Sequence, residues 1–230
     1  MRSKSGILDS IVYKITVCIT KFFVINFWFL IMISPVLLYI YFFEGHISIS
    51  ILLVFSVLLG PAITTLFSIS GKFINEGDIC PSKDFFRLYK MNFFQGIFIG
   101  IILNSFMGIL YSDVEYFNSI GNTYLSIICL LLLIVVIMLS FYIYPIISRY
   151  NIKMIYLFQL SIRLLIKKIY ISLSCISMII IVLALIRITR ISLVGVLFGA
   201  SIICYLIMKI ENKTIDELNE EIKEKYNIND

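Results

Sequence analysis

His46 is the one histidine of the 230-residue chain, and its nearest carboxylate is Glu44, two positions earlier. A histidine beside a carboxylate is the least that acid/base catalysis needs. This pair, however, falls in a short connection between two apolar runs, where a solvated turn accounts for it. The five cysteines, Cys18, Cys80, Cys129, Cys175 and Cys204, form no C-x-x-C pair, and three lie inside apolar runs. That spacing suits small apolar fillers better than a zinc site or a disulfide framework. No H-E-x-x-H, G-x-S-x-G or phosphate-binding loop occurs. The expectation is a chain with no catalytic residue, no metal and no cofactor, hence not an enzyme. The one amide that stands out inside an apolar run is Asn104, where it can pack helices or line a route for an uncharged solute.

The elements that hold these residues are set by composition. Hydrophobic residues make up 60% of the chain, charged residues 14%, and the mean hydropathy is +1.02. A soluble domain is nearer one half apolar and one quarter charged, so this chain must take lipid as its solvent. The reading is an all-α, polytopic helical membrane bundle of about six transmembrane helices with interfacial amphipathic helices. A net charge of +5 in a soluble protein would raise nucleic acid as a partner. Here the cations flank apolar runs, so anionic lipid headgroups are the nearer partner and nucleic-acid binding is excluded.

In chain order, residues 1–21 mix Arg2, Lys4, Lys14 and Lys21 with apolar positions at helical spacing, which predicts an interfacial helix before the chain turns into the bilayer. The N-terminus has no small-residue cleavage site and reads as uncleaved. Residues 22–208 form the six-span bundle. Span one covers 22–43, long enough for the roughly 30 Å hydrocarbon slab, with a kink expected at Pro35 and Trp28 as a candidate interfacial anchor. Span two, about 47–70, carries Gly60, Thr64 and Ser68 four apart, with Pro61 beside them. A charged loop with Lys72, Glu76 and Asp78 follows, then a headgroup-level helix over 82–92. Span three, 93–111, carries Gly96, Gly100, Asn104 and Gly108 on one face, the strongest helix-packing pattern in the chain. Span four covers 123–148, a second surface helix lies within 149–168, and spans five and six cover about 169–186 and 191–208. Gly195 and Gly199 form a further expected close contact in span six. Residues 209–230 read as a cytoplasmic amphipathic tail, with Thr214 and Glu217 as a capping box and Ile215, Leu218 and Ile222 on one face.

Of the 19 lysines and arginines, only Arg187 and Arg190 fall on the side of the membrane opposite the others. The positive-inside rule then puts both termini in the cytoplasm, as a multi-pass protein of the cell membrane. The two exceptions lie in a tight turn. Should spans five and six be a re-entrant pair instead, those arginines become buried functional candidates.

The segments Asn26-Phe-Trp28, Gly60-Pro-Ala-Ile-Thr-Thr-Leu66, Asp84-Phe-Phe-Arg-Leu-Tyr-Lys-Met-Asn-Phe93 and Tyr142-Ile-Tyr-Pro145 resemble the YesL-like family of bacterial integral membrane proteins, a domain of unknown function. The resemblance implies a polytopic membrane protein often found beside carbohydrate-uptake systems, and no catalytic residue. A non-catalytic accessory or assembly component linked to carbohydrate uptake is therefore expected. Its partners would be the bilayer, a membrane transporter subunit or another copy of itself, with Phe85, Phe86, Tyr89, Leu218 and Ile222 as docking candidates. The alternative is a transporter or channel for an uncharged solute such as a sugar, lined by Asn104, Thr64, Thr65 and Ser68. Coupling to protons or sodium would need ionisable groups within the spans, and the spans so drawn contain none.

Overall fold

A computed structural model describes residues 4–43, 49–188 and 192–226, with side-chain surroundings for 12–43, 51–188 and 193–218. Glu44, His46 and Arg190 lie outside the described residues, and the side chain of Ile222 lies outside the described side chains. The described residues form α1 (Lys4–Phe42), α2 (Ile49–Ser56), α3 (Leu59–Glu76), α4 (Pro81–Ser119), α5 (Thr123–Arg149), α6 (Met154–Lys167), α7 (Ile169–Ile188) and α8 (Ser192–Tyr226), with no strand among them. Six stretches are long and apolar enough to cross a membrane: α1, α2 with α3, α4, α5, α7 and α8. The α6 helix, with Tyr156, Leu157, Leu160, Ser161 and Leu164 buried on one face, is an amphipathic helix within 149–168, where a second surface helix is expected.

Three boundaries expected from composition are absent. The lead-in and first span are one 39-residue helix. The 82–92 segment and third span are another of the same length, and the sixth span runs unbroken into the tail. At about 1.5 Å per residue, 39 residues span about 58 Å, nearly twice the hydrocarbon slab. The reason is one of hydrogen bonding. A change from apolar to charged side chains does not end a helix, whereas ending it leaves several backbone N–H and C=O groups without partners beside lipid. No glycine or proline stands at 21–22, 92–93 or 208–209 to impose a break. The capping box at Thr214 is corrected by the same observation, since Thr214 is buried in the middle of α8. The charged loop also shrinks, because α3 continues through Lys72 to Glu76 and ends at Gly77, whose φ of 72° and N–H to Phe73 make a left-handed C-cap.

Breaks come where proline dictates. Pro61 has no N–H for the carbonyl of Val57, four residues back, and its ring crowds that carbonyl. The chain answers with a short turn between α2 and α3, in which Gly60 N–H donates to Val57 O at 3.2 Å. At Pro35 the helix stays continuous, and the Ser34 hydroxyl donates at 2.7 Å to Ile31 O, the carbonyl the proline leaves free.

Among the described glycines, the tightest surroundings lie between α3 and α4. A Cβ on Gly60 would stand 2.2 Å from Gly96 O and 2.9 Å from Gly100 Cα, and one on Gly96 would stand 2.6 Å from Pro61 Cα. Gly108 seats the side chain of Leu53 of α2, and Gly195 of α8 receives the side chain of Ile186 of α7. Gly199 does not share this role: nothing lies within 4 Å of its ideal Cβ. The expected Gly195/Gly199 pair is thus a single contact.

The α3–α4 seam generates a contrast. Gly96→Val should cost about 3 kcal/mol or prevent folding, because backbone on both sides has to move. Gly199→Ala should be neutral or stabilising by up to about 1 kcal/mol through helix propensity. Reversible unfolding of the two variants in mixed micelles reads both.

Candidate functional site at the charged end of the bundle

The polar side chains of the spans are held by elements already built for close approach. On α3, Thr64 and Thr65 donate to Gly60 O and Pro61 O of their own helix at 2.9 and 2.7 Å, and both are fully buried. Ser68 donates across to Ser148 O of α5 at 3.0 Å and accepts from Asn92 Nδ2 of α4 at 2.7 Å, tying three helices together. Asn104 donates to Ser56 O at 3.0 Å, at the end of α2 beside the proline turn. Asn26 on α1 touches α8 twice: its Nδ2 donates to Val196 O at 2.7 Å and its Oδ1 accepts from Ser201 N at 3.0 Å. These amides are fasteners between helices.

Trp28 lies at the level where α4 begins. Its Nε1 donates to Ser82 Oγ at 3.0 Å, and its ring meets Phe86 edge-on at 4.6 Å. These contacts set Trp28 against the first turns of α4. From here the helices extend into a charged end. Asp84, in the first turn of α4, is only 5% exposed. It takes Lys72 Nζ at 2.8 Å, Arg87 at 3.3 Å and the Cys80 N–H at 2.9 Å. Burial pushes the Asp84 carboxyl up, but the Lys72 ammonium, the Cys80 N–H and the Arg87 guanidinium outweigh it and hold it below the usual carboxylate range. Lys21 of α1 pairs with Asp78 in the connection and lies 5.6 Å over the Phe73 ring. Opposite, Arg149 at the end of α5 donates to Asp216 at 2.8 Å and to Asn212, both on α8, and Lys168 pairs with Glu217.

A cavity of about 290 Å³ at this end is lined by Lys72, Asp78, Lys83, Asp84 and Arg87 with Ile79 and Cys80. Its charged groups largely neutralise one another. Among the described residues no group of three His, Cys, Asp or Glu side chains gathers where a metal could sit. Elsewhere, a cavity of about 310 Å³ opens between apolar walls that include Phe29, Phe67, Phe141, Tyr144, Ile179 and Ile207.

Two docking candidates are corrected by burial. Phe85 is 0% exposed and Leu218 is 6% exposed, both in the core. Within the 82–92 segment, Phe85 and Leu88 turn to neighbouring helices. Phe86 is exposed and Tyr89 half-buried, so these two remain at the surface. Arg187 is exposed at the end of α7, a full-length apolar helix. The residue that the sequence reading missed is Glu211. Assigned to the tail, it lies within the apolar stretch of α8 and is 1% exposed. The signal was periodicity: Ile207, Met208, Glu211, Thr214, Ile215 and Leu218 continue one buried face straight through the change in composition.

Residues 22–114 match the family model described as Protein of unknown function, DUF624, which is the YesL-like membrane-protein family. No curated protein and no solved structure matches the chain. The matched segment contains Asn26, Trp28, the glycine seam, Asp84, Asn92 and Asn104.

The sign of the Asp84 effect follows from its depressed carboxyl. The ion pair stabilises the fold above the range where an unfolded aspartate titrates, about pH 4, and the contribution is lost as pH falls through the folded value. Lys72→Met should cost about 3 kcal/mol near neutral pH by leaving a buried carboxylate with one fewer cation, and the deficit should shrink on acidification. A pH series of unfolding curves for wild type and variant checks it.

Proposed function

We propose that this multi-pass membrane protein, a DUF624 protein over residues 22–114, is a non-catalytic accessory or assembly component whose charged end faces the cytoplasm and meets a partner there. The observation that carries the reading is the use made of the polar groups inside the spans. A solute pathway needs amides and hydroxyls free to exchange water for substrate. Here Asn26, Ser68, Asn92 and Asn104 each hold a second helix, and Thr64 and Thr65 are turned back on their own. A bundle fastened in this way is suited to being a rigid platform. The positive-inside rule supports the orientation, since the ion-paired end carries Lys21, Lys72, Lys83, Arg87, Arg149 and Lys168. Resemblance to a family found beside carbohydrate-uptake systems supplies the setting in which to seek the partner, a subunit of an uptake permease.

Phe86 is exposed and Tyr89 half-buried at that end, so a photoreactive residue can be placed at either. Crosslinking in native membranes from position 86 or 89 should give one discrete adduct containing an uptake-system subunit, and adducts with lipid alone would overturn the reading. Purified protein in liposomes should pass no more sugar than protein-free vesicles do. Saturable flux abolished by Asn104→Leu would favour the solute-transport alternative instead.

A further inference from the structure

Glu211 is unlike every other carboxylate described. Glu76, Asp78, Asp84, Asp216 and Glu217 each face a cation, and Asp113 and Glu115 are half-buried and exposed, whereas both carboxyl oxygens of Glu211 are buried and without any hydrogen-bond partner. The elements packed against α8 are α1, α3, α5 and α7, and none of the groups described on them hydrogen-bonds to Glu211. From α5, Tyr142 lies within electrostatic reach of Glu211 but donates its hydroxyl to Lys168 O at 2.7 Å. Arg149, also on α5, is turned to Asn212 and Asp216. From α7 come Cys175, within reach of Glu211, and Ser172, which adjoins Tyr142; both are fully buried. The α3 lysine, Lys72, is committed to Glu76 and Asp84, and Lys21 of α1 to Asp78, while Lys14 of α1 and Arg187 of α7 are exposed. On α8 itself Lys209 and Lys213 point outward and are exposed.

An ionised carboxylate is an acceptor only, and one buried without donor or counter-charge costs several kilocalories per mole. Something positive must therefore accompany it. A metal cation needs a shell of oxygen ligands, and a neighbouring thiol and an already committed phenol do not supply one. A proton needs no shell. We propose that Glu211 is a proton-binding site, neutral in the folded protein, at the junction where α8 packs on α5 and α7. Loss of that proton places an uncompensated charge in the junction and drives the charged end of α8 away from Tyr142 and Cys175. The site is independent of the accessory reading above, since it rests on burial and hydrogen bonding alone.

The fold holds one proton more than the unfolded chain does, so its stability falls as pH rises. In unfolding measurements on the full chain in micelles, the folding constant of wild type should fall by as much as about tenfold per pH unit as pH rises above about 4.3, where the unfolded glutamate ionises, until the folded carboxyl also loses its proton. Glu211→Gln, and Glu211→Met as a second variant of similar length, should remove that dependence. Superimposable pH profiles for wild type and variants would overturn the proposal. Should neither variant fold, infrared spectra of the wild-type protein with isotope-labelled glutamate decide it. A labelled, protonated-carboxyl C=O band at neutral pH is expected. Its absence, or its loss on adding sodium chloride at constant pH, would contradict a bound proton.

Discussion

The fold depends on one constraint: lipid supplies no hydrogen bonds, so a polar group within the slab either finds its partner in the protein or stays unpaired at a cost, as the Glu211 carboxyl does. Helices satisfy their own backbones, which leaves proline sites, side-chain amides and hydroxyls to be matched. Each prominent feature of the bundle answers that need. The Ser34 hydroxyl takes the carbonyl that Pro35 frees, the turn before Pro61 redirects the Val57 carbonyl, and Asn26 inserts its amide against the backbone of α8. Glycine contact works alongside, since apolar side chains gain little from one another in lipid and backbones must come close for dispersion to hold them. The α3–α4 seam places Gly60 over Gly96 and Gly100 with no room for a Cβ.

These two devices explain why the long helices do not stop at the membrane surface. Once a helix is hydrogen-bonded, continuing it past the headgroups is easier than ending it there, so α1, α4 and α8 are long enough to run beyond the slab, where ion pairs tie α4 to Lys72 of α3, α8 to Arg149 of α5 and to Lys168, and α1 to Asp78 of the α3–α4 connection. The charged end is built from helix extensions more than from loops. That gives it the rigidity of the bundle, which is why a change at Lys72 or Arg149 would be felt by several helices at once.

Much of this was readable from the residues alone. Apolar run length fixed the six spans, and four-residue spacing picked out Gly60, Gly96, Gly100, Asn104 and Gly108, because in a helix that spacing is a face. What composition could not show was where helices end. A change from apolar to charged residues at 21, 92 and 208 marks a change of solvent, and a helix can cross such a change unbroken. The same confusion placed Phe85 and Leu218 at a surface and Glu211 in a tail, when the helical period through Met208, Glu211, Ile215 and Leu218 runs on without interruption. Gly199 erred in the other direction, since small-residue spacing says only that a close approach is permitted. The long-range pairs, Asn26 with Val196 and Ser68 with Ser148, have no local signal, because each partner is a backbone carbonyl that any residue would carry.

The most direct test of the central claim is a double-mutant cycle on Ser68 and Asn92, whose side chains meet at 2.7 Å between α3 and α4. Unfolding free energies of Ser68→Ala, Asn92→Leu and the double variant, measured in a bilayer, isolate their coupling. If amides in the spans are fasteners between helices, the coupling is favourable and about 1 kcal/mol; strictly additive losses would contradict it.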